Sequence, residues 1–169
     1  MTKRAGSTVR YETSTTIDRP IGDVFERLSD LDGYRRWMHH KGLFRRATQT
    51  SAGPVGRGTS YVDATWMGTF RGEVTHYEPL NRIEFREGLR RFGAELMVAR
   101  PAYSLEDDDG RTVVHHVAEG ELFGVMRLMR PAAALMARWE RARTVESLKR
   151  SLESEQASDA PTVELRRRG

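Results

Sequence analysis

A single change in the spacing of apolar residues divides this sequence into two parts. Up to about residue 122, apolar and polar residues alternate within short segments, which is the period of two expected for half-buried β-strands. From Phe123 onward, apolar residues recur at steps of three or four over about 30 residues, which predicts one long helix. These positions are Val125, Leu128, Ala132, Leu135, Trp139, Ala142, Val145, Leu148 and Leu152. Such a chain is expected to pack an antiparallel sheet against a single terminal helix.

The part before Phe123 predicts seven strands, joined chiefly as a meander. They cover residues 8–17, 43–50, 57–67, 69–78, 82–88, 94–106 and 111–121. Gly68 and the pair Asp109-Gly110 supply turn chemistry between neighbouring strands. Two short helices are predicted between the first two strands, one with Val24, Phe25 and Leu28 and the other with Tyr34, Trp37 and Met38. The order indicates an α+β fold in which a curved seven-stranded antiparallel sheet surrounds the C-terminal helix and leaves a cavity.

The two halves of the long helix differ in composition. The first half carries Met126, Met129, Ala133 and Met136 beside the main apolar face, so it is apolar over a wide arc. The second half is ordinarily amphipathic, and we therefore predict that the N-terminal half is the more enclosed. Pro131 lies inside the helical run and predicts either a kink or a short helical turn before it.

Composition excludes several classes of protein. The chain has 169 residues, which suits one domain, and it has no cysteine, which excludes disulfides, thiolate nucleophiles and zinc ribbons. The net charge is +4, and the basic residues are arginine except at Lys3, Lys41 and Lys149. Because acidic residues are interspersed among them, nucleic acid is not the expected partner. Neither a secretion signal nor an apolar run long enough to span a membrane is found, so a cytoplasmic location is expected.

Five segments, in this order and spacing, resemble a known superfamily. They are Ile17-Asp-Arg-Pro-Ile-Gly-Asp-Val-Phe-Glu-Arg-Leu-Ser-Asp, Tyr34-Arg-Arg-Trp, Gly56-Arg-Gly-Thr-Ser-Tyr, Val74-Thr-His-Tyr-Glu-Pro-Leu-Asn-Arg-Ile-Glu-Phe and Asp109-Gly-Arg-Thr-Val-Val. The sequence resembles the START-like helix-grip (SRPBCC) superfamily over residues 8–152, and is most similar to its polyketide cyclase/dehydrase and lipid-transport group. The resemblance implies a helix-grip ligand-binding domain over residues 8–153. Residues 1–7 are expected to be a flexible N-terminus, and residues 154–169, which begin with a polar stretch without periodicity, are expected to be a disordered tail.

Bulky apolar and aromatic residues on the predicted elements point to a hydrophobic or aromatic small-molecule ligand, and the resemblance implies a lipid, a quinone or a polyketide-like compound. Methionine is frequent among them, and its flexible thioether side chain adapts to irregular ligands. The predicted ligand-binding residues are Tyr11, Trp37, Tyr61, Met67, Phe85, Met97, Tyr103, His116, Met126, Met129, Leu135 and Trp139. The alternative interpretation for many of them is ordinary core packing.

The two histidine pairs do not indicate a metal site. His39-His40 and His115-His116 are adjacent residues, whereas metal ligands need a spacing that lets three or four groups converge. We expect neither a metal nor a cofactor. For His116 the favoured interpretation is a surface imidazole or one that is hydrogen-bonded within the sheet, with contact to ligand as the alternative.

A cyclase/dehydrase enzyme that uses the same cavity is the second hypothesis. Such chemistry needs a proton acceptor and a proton donor, and the candidates are Asp63, His76, Arg100, Tyr103 and one of His115 or His116. They are scattered along the sequence. On the sixth strand Met97, Ala99, Pro101, Tyr103 and Leu105 share the face expected to point inward, which places Arg100 in solvent. A slip of one residue or a bulge at Pro101 would reverse the two faces.

A third hypothesis is binding to the ribosome or another macromolecule through arginine surfaces. Arg90-Arg91 and the C-terminal Arg166-Arg167-Arg168 are the relevant clusters, although solvated charge is the commoner explanation. The apolar segment 123–130 also suits contact with a membrane surface, but packing of the terminal helix into the grip is favoured. The sequence leaves open whether the protein forms a homodimer.

Overall fold

The fold is a single antiparallel sheet with helices at two points in the chain. In a computed structural model, residues 7–38, 47–65 and 68–159 are described. The elements are β1 (Ser7–Ile17), α1 (Ile21–Ser29), α2 (Tyr34–Trp37), β2 (Ala47–Gln49), β3 (Ser60–Thr65), β4 (Gly68–Glu78), β5 (Arg82–Arg91), β6 (Ala94–Asp108), β7 (Arg111–Leu122), a 3-10 helix (Gly124–Met129) and α3 (Arg130–Asp159). None of the helices within these ranges has the length and hydropathy needed to cross a bilayer.

The sheet has seven strands in the order β1-β7-β6-β5-β4-β3-β2, and every neighbouring pair is antiparallel. The predicted α+β fold and its seven-stranded meander are therefore confirmed. Irregular register at Val74–His76 in β4 and at Leu89–Arg90 in β5 marks two places where the strands bend. Residues 43–46 and 66–67 of the predicted strands lie outside the described residues.

The turn between β6 and β7 has the conformation that its sequence indicates. Asp109 and Gly110 both have positive φ, at 52° and 85°, which suits the right-handed twist of a two-residue hairpin. Phe92 and Gly93 adopt the same kind of conformation between β5 and β6, with φ of 50° and 76°. The pair Phe-Gly carries no strong sequence signal for such a turn.

The core lies on one face of the sheet and is closed at one end by α1. Val24, Phe25 and Leu28 are buried there, and the ring of Phe25 meets the edge of Tyr77 at 5.4 Å between centroids. Burial alternates along β6 as predicted, with Tyr103 and Leu105 inside. Arg100 points outward and pairs with Glu121 at 2.8 Å.

The 3-10 helix ends immediately before α3, so Pro131 falls in the first turn of α3. Its missing N–H costs no helical hydrogen bond at that position. The predicted short helical turn before Pro131 is confirmed.

The prediction that the N-terminal half of the long helix is the more enclosed is wrong. Leu128 is 84% exposed and Leu135 is 72% exposed, whereas Leu148 and Leu152 are buried. The C-terminal half is fixed because Lys149 donates a 2.8 Å hydrogen bond to the carbonyl oxygen of Thr16 at the end of β1. Hydrophobic periodicity identifies the apolar side of a helix but not the length over which a neighbour covers it.

The helix also continues beyond the domain end expected at residue 153. It reaches Asp159, and Glu155 pairs with Arg27 of α1 at 2.6 Å. Arg27 donates a second hydrogen bond to Ser151 at 3.0 Å, so α1 and α3 are joined at two points. Residues 160–169 lie outside the described part of the chain.

Candidate ligand-binding site

Four aromatic rings form a row across the inner face of the sheet. Tyr61 of β3 meets the edge of Phe85 of β5, with ring centroids 5.9 Å apart. Phe85 meets Tyr103 of β6 at 6.4 Å in the same edge-to-face manner. Tyr103 stacks on His116 of β7 at 4.2 Å and an interplanar angle of 17°. All four are predicted site residues, and alternation along each strand places them on one face.

Tyr61 is directed along this face by a glycine. Its register partner in β4 is Gly72, and Gly72 in turn pairs with Glu87 of β5. A Cβ atom at Gly72 would lie 2.2 Å from Cζ of Tyr61, so the tyrosine ring occupies the space that any other side chain would need. The Tyr61 hydroxyl thereby reaches Glu87 and donates a 2.7 Å hydrogen bond to its Oε1.

Burial and neighbouring charge keep two tyrosines of this region protonated. Burial raises the pKa of Tyr61 well above its usual value, and the carboxyl group and hydrogen bond of Glu87 raise it further. Burial likewise raises the pKa of Tyr34 in α2, with smaller contributions from Tyr103, Glu87 and Asp30. Both phenols are therefore hydrogen-bond donors at neutral pH, and Tyr34 donates to the carbonyl oxygen of Leu28 at 2.6 Å.

His116 is fully buried, and its Nδ1 lies 3.0 Å from the carbonyl oxygen of Ala102. Because a carbonyl oxygen only accepts, Nδ1 carries the proton, and a neutral ring keeps its lone pair on Nε2. Of the two forms that the sequence interpretation allowed, His116 is therefore the imidazole that is hydrogen-bonded within the sheet and not the surface imidazole. The neighbouring His115 points to the other side, where its half-exposed ring lies 3.6 Å from Glu106.

Trp37 joins the same region from α2. Its ring packs against the edge of Tyr34 at 5.1 Å between centroids, and its side chain is buried. Within the part of the chain that the structure describes, Nε1 of Trp37 has no hydrogen-bond partner. Because this buried indole N–H has no acceptor among the described residues, it can donate a hydrogen bond to an acceptor atom that is not part of them.

The remaining predicted site residues do not join the ring row. Tyr11 and Met97 are half-buried on β1 and β6, and Met126 is half-buried in the 3-10 helix. Met129, Leu135 and Trp139 are exposed, and the guanidinium group of Arg143 lies 4.2 Å from the ring centroid of Trp139. Met67 lies outside the described residues.

Sequence reasoning missed Glu87, the acidic residue at the centre of the site. The available signal was its place in the alternation of β5, where it falls in step with Ile83, Phe85 and Leu89. Of the residues considered for acid-base chemistry, Asp63 is buried on the inner face of β3, whereas His76 is exposed beside Glu78. No group of three or more metal-ligating side chains occurs among the residues described.

Comparison with known proteins places this geometry in a family. The family model described as polyketide cyclase / dehydrase and lipid transport matches residues 8–153. No curated protein matches the chain in sequence.

Solved structures agree in fold at low sequence identity. Protein MLL2253 from Mesorhizobium loti is 16% identical, with a TM-score of 0.63, over 86% of this chain and 97% of that one. The di-domain ARO/CYC StfQ from the steffimycin biosynthetic pathway is 13% identical, with a TM-score of 0.63, over 89% of this chain and 52% of StfQ. DynU16, from the dynemicin biosynthetic locus, is 23% identical, with a TM-score of 0.54, over 88% of this chain and 48% of DynU16. This chain therefore spans about half the length of the last two.

Proposed function

The chain belongs to the polyketide cyclase/dehydrase and lipid transport family, and from this membership we propose that it binds a hydrophobic or aromatic small molecule between the sheet and α3. The observation that carries the proposal is the hydrogen bond between Tyr61 and Glu87 on a face otherwise formed by aromatic rings. Small-molecule sites are typically apolar with a few polar groups that orient the ligand.

The arrangement suits a flat ligand that carries an oxygen atom. The rings of Phe85 and Tyr103 provide apolar contacts, and removal of the ligand's own apolar surface from water favours binding by roughly 25 cal/mol per Å2. The indole N–H of Trp37 is a donor suited to a carbonyl or hydroxyl oxygen of the ligand, whereas the phenol protons of Tyr34 and Tyr61 are already donated to Leu28 and Glu87. Aromatic polyketides and quinones combine these features.

Native mass spectrometry of gently purified protein tests the proposal. The protein is measured as isolated and after incubation with a panel of quinones, fatty acids and aromatic polyketides. We expect a retained or acquired non-covalent mass from the aromatic, oxygen-bearing members. A spectrum of the unliganded protein that no panel member shifts would contradict the proposal.

A pair of alanine substitutions locates the site. Ala99 is buried on the inner face of β6 beside Glu87, whereas Ala102 on the same strand is half-buried on the other face. We expect Ala99→Leu to abolish ligand binding and Ala102→Leu to preserve it, provided both variants keep the wild-type circular dichroism spectrum. Equal binding by the two variants would place the ligand elsewhere.

A cyclase/dehydrase activity is the second candidate, and the Tyr61–Glu87 pair favours it specifically. Aldol cyclisation removes a proton from carbon next to a carbonyl group, and dehydration then protonates a departing hydroxyl group. Under this proposal the Glu87 carboxylate accepts the proton that leaves carbon in each step. The Tyr61 phenol protonates first the alkoxide formed by cyclisation and then the departing hydroxyl group, which leaves as water, and each time it takes a proton back from Glu87 through their hydrogen bond. StfQ, a structural neighbour, is described as an ARO/CYC protein, although the low identity shows only a common fold.

Turnover of the ligand found by mass spectrometry distinguishes a carrier from an enzyme. An enzyme would release a product that has lost one water molecule. Glu87→Gln would then lower kcat while the ligand still binds, because the amide keeps the shape of the carboxylate but not its basicity. Binding without any product in the wild type would leave the carrier proposal and exclude the enzyme for that ligand.

A further inference from the structure

Six large apolar side chains project into solvent from the β5–β6 turn, the 3-10 helix and the first part of α3. This exposed apolar patch consists of Phe92, Val125, Leu128, Met129, Leu135 and Trp139. The β5–β6 turn and the start of the 3-10 helix lie at the same end of the sheet, and the 3-10 helix continues directly into α3. Arg91 pairs with Ala94 across that turn, and the N–H of Phe123 donates to the carbonyl oxygen of Leu96 at 2.9 Å.

Five of these six apolar side chains are more than half exposed. Scattered exposed leucines are common on soluble proteins, but grouped large apolar side chains mark interaction surfaces. Phe92 is 95% exposed and also has a positive φ of 50°, a conformation that bulky residues rarely adopt. A strained aromatic residue held in solvent suggests that its side chain is needed outside the fold.

The charged residues within the helical part of the patch are all basic. Residues 123–139 contain no acidic residue, and Arg127, Arg130 and Arg138 are exposed among the apolar positions. None of these three arginines forms an ion pair with a described residue. Elsewhere on the surface, ion pairs neutralise arginines locally, as in Arg82–Glu84 and Arg111–Asp108. Exposed apolar side chains interspersed with unpaired arginines suit a partner that has an apolar interior and an anionic surface.

We propose that the exposed apolar patch docks the protein onto an anionic lipid bilayer. The apolar side chains would enter the boundary between headgroups and acyl chains, and the arginines would contact lipid phosphates. Trp139, with Arg143 over its ring, has the amphipathic character of residues found at membrane interfaces. The proposal stands on the exposed surface alone and is independent of any ligand at the ring row.

Two other partners, a second copy of the chain and a nucleic acid, fit the exposed apolar patch less well. A second copy related by a two-fold axis would bring Arg127, Arg130 and Arg138 against the same arginines of the first copy. A nucleic acid would satisfy the arginines, but its phosphates offer no apolar surface for Val125 and Leu128. A bilayer with anionic headgroups satisfies both sets of side chains.

Co-sedimentation of the full chain with lipid vesicles tests this proposal. One set of vesicles is pure phosphatidylcholine, and the other contains phosphatidylglycerol in addition. We expect the protein to bind the anionic vesicles at low salt and to be largely released at high salt, with much weaker binding to the neutral vesicles. Failure of the folded protein to bind anionic vesicles at low salt would overturn the proposal.

Matched variants identify the surface that binds. Leu128→Asp is compared with Leu80→Asp, since Leu80 is also exposed but lies in the β4–β5 turn at the opposite end of the sheet. We expect Leu128→Asp to weaken binding by at least about ten-fold and Leu80→Asp to leave it unchanged. Arg130→Gln is expected to weaken it by about five-fold, and Arg57→Gln, at that opposite end, to have no effect.

The same variants distinguish the bilayer from the other occupants. Equal losses from Leu128→Asp and Leu80→Asp would overturn the proposal, because binding would then not depend on the patch. A concentration-dependent dimer in sedimentation velocity that Leu128→Asp dissociates, without vesicle binding by the wild type, would instead assign the patch to a second copy.

Discussion

Tyr61 reaches Glu87 by crossing over Gly72, the residue that separates them in the sheet. The hydrogen bond from the Tyr61 hydroxyl to Oε1 of Glu87 is 2.7 Å long and lies within the protein interior. It satisfies the phenol and one carboxylate oxygen at a place where water has little access. The position of this polar pair therefore depends on a residue that has no side chain.

Gly72→Ala should dislodge the Tyr61 ring. The added methyl group would lie 2.2 Å from Cζ of Tyr61, far inside van der Waals contact, so the ring must move and its hydrogen bond to Glu87 must break. We expect the free energy of unfolding to fall by about 1–3 kcal/mol in chemical denaturation. Gly56→Ala is the control, because a Cβ atom there meets nothing within 4 Å. A Gly72→Ala protein as stable as the control would contradict the described packing.

Alkaline pH should destabilise the protein through Tyr34 and Tyr61. Folding raises the pKa of both phenols, so above about pH 10 the unfolded chain releases protons that the folded chain retains. The free energy of unfolding must then decrease as pH rises toward the folded-state pKa values, whereas this contribution is fully present below pH 10.

Absorbance of the phenolate ion near 295 nm, recorded with circular dichroism during titration, measures the effect. We expect at least two tyrosines to ionise only as the protein unfolds, and one fewer in Tyr34→Phe or in Tyr61→Phe. Complete ionisation of all tyrosines in the folded protein would contradict the prediction.

The buried imidazole of His116 should contribute more to stability than its neighbour. His116→Ala removes the stacking on Tyr103 and the hydrogen bond to Ala102, and we expect a loss of about 2–4 kcal/mol. His116→Phe keeps a ring for stacking, so its loss should be smaller. His115→Ala on the outer face should change stability by less than about 0.5 kcal/mol. Similar losses at the two positions would mean that the ring of His116 is not enclosed.

Much of the sheet could be predicted because local chemistry specifies it. Alternation along β6 gave the correct inward face for Tyr103 and Leu105, and the outward direction of Arg100 followed from it. Asp109-Gly110 marked its turn because both residues tolerate positive φ. The turn at Phe92-Gly93 carried no such mark, because bulky residues rarely adopt positive φ.

The centre of the candidate site was harder to predict because it depends on contacts between strands. Glu87 becomes adjacent to Tyr61 only through the register of β3, β4 and β5, and a single sequence does not contain that register. The alternation of β5 showed a carboxylate at an inward position, but it did not show that this carboxylate pairs with Tyr61.

The long helix shows the limit of periodicity most clearly. Leu135 and Leu148 occupy the same predicted apolar face, yet Leu135 projects into solvent and Leu148 is fully buried. The difference arises because α1 and β1 hold the C-terminal half through Arg27 and Lys149. These long-range contacts leave no trace in the spacing of the helix residues.

Truncation of these two leucines should therefore have unequal effects. Leu148→Ala leaves a cavity in a filled core, and we expect the free energy of unfolding to fall by about 2–5 kcal/mol. Leu135→Ala removes surface that is already in water, and its effect should stay within about 0.5 kcal/mol. Urea denaturation followed by circular dichroism measures both variants against the wild type. If the N-terminal half of the helix were the enclosed one, Leu135→Ala would be the more damaging substitution, so the order of the two losses decides which half anchors the helix.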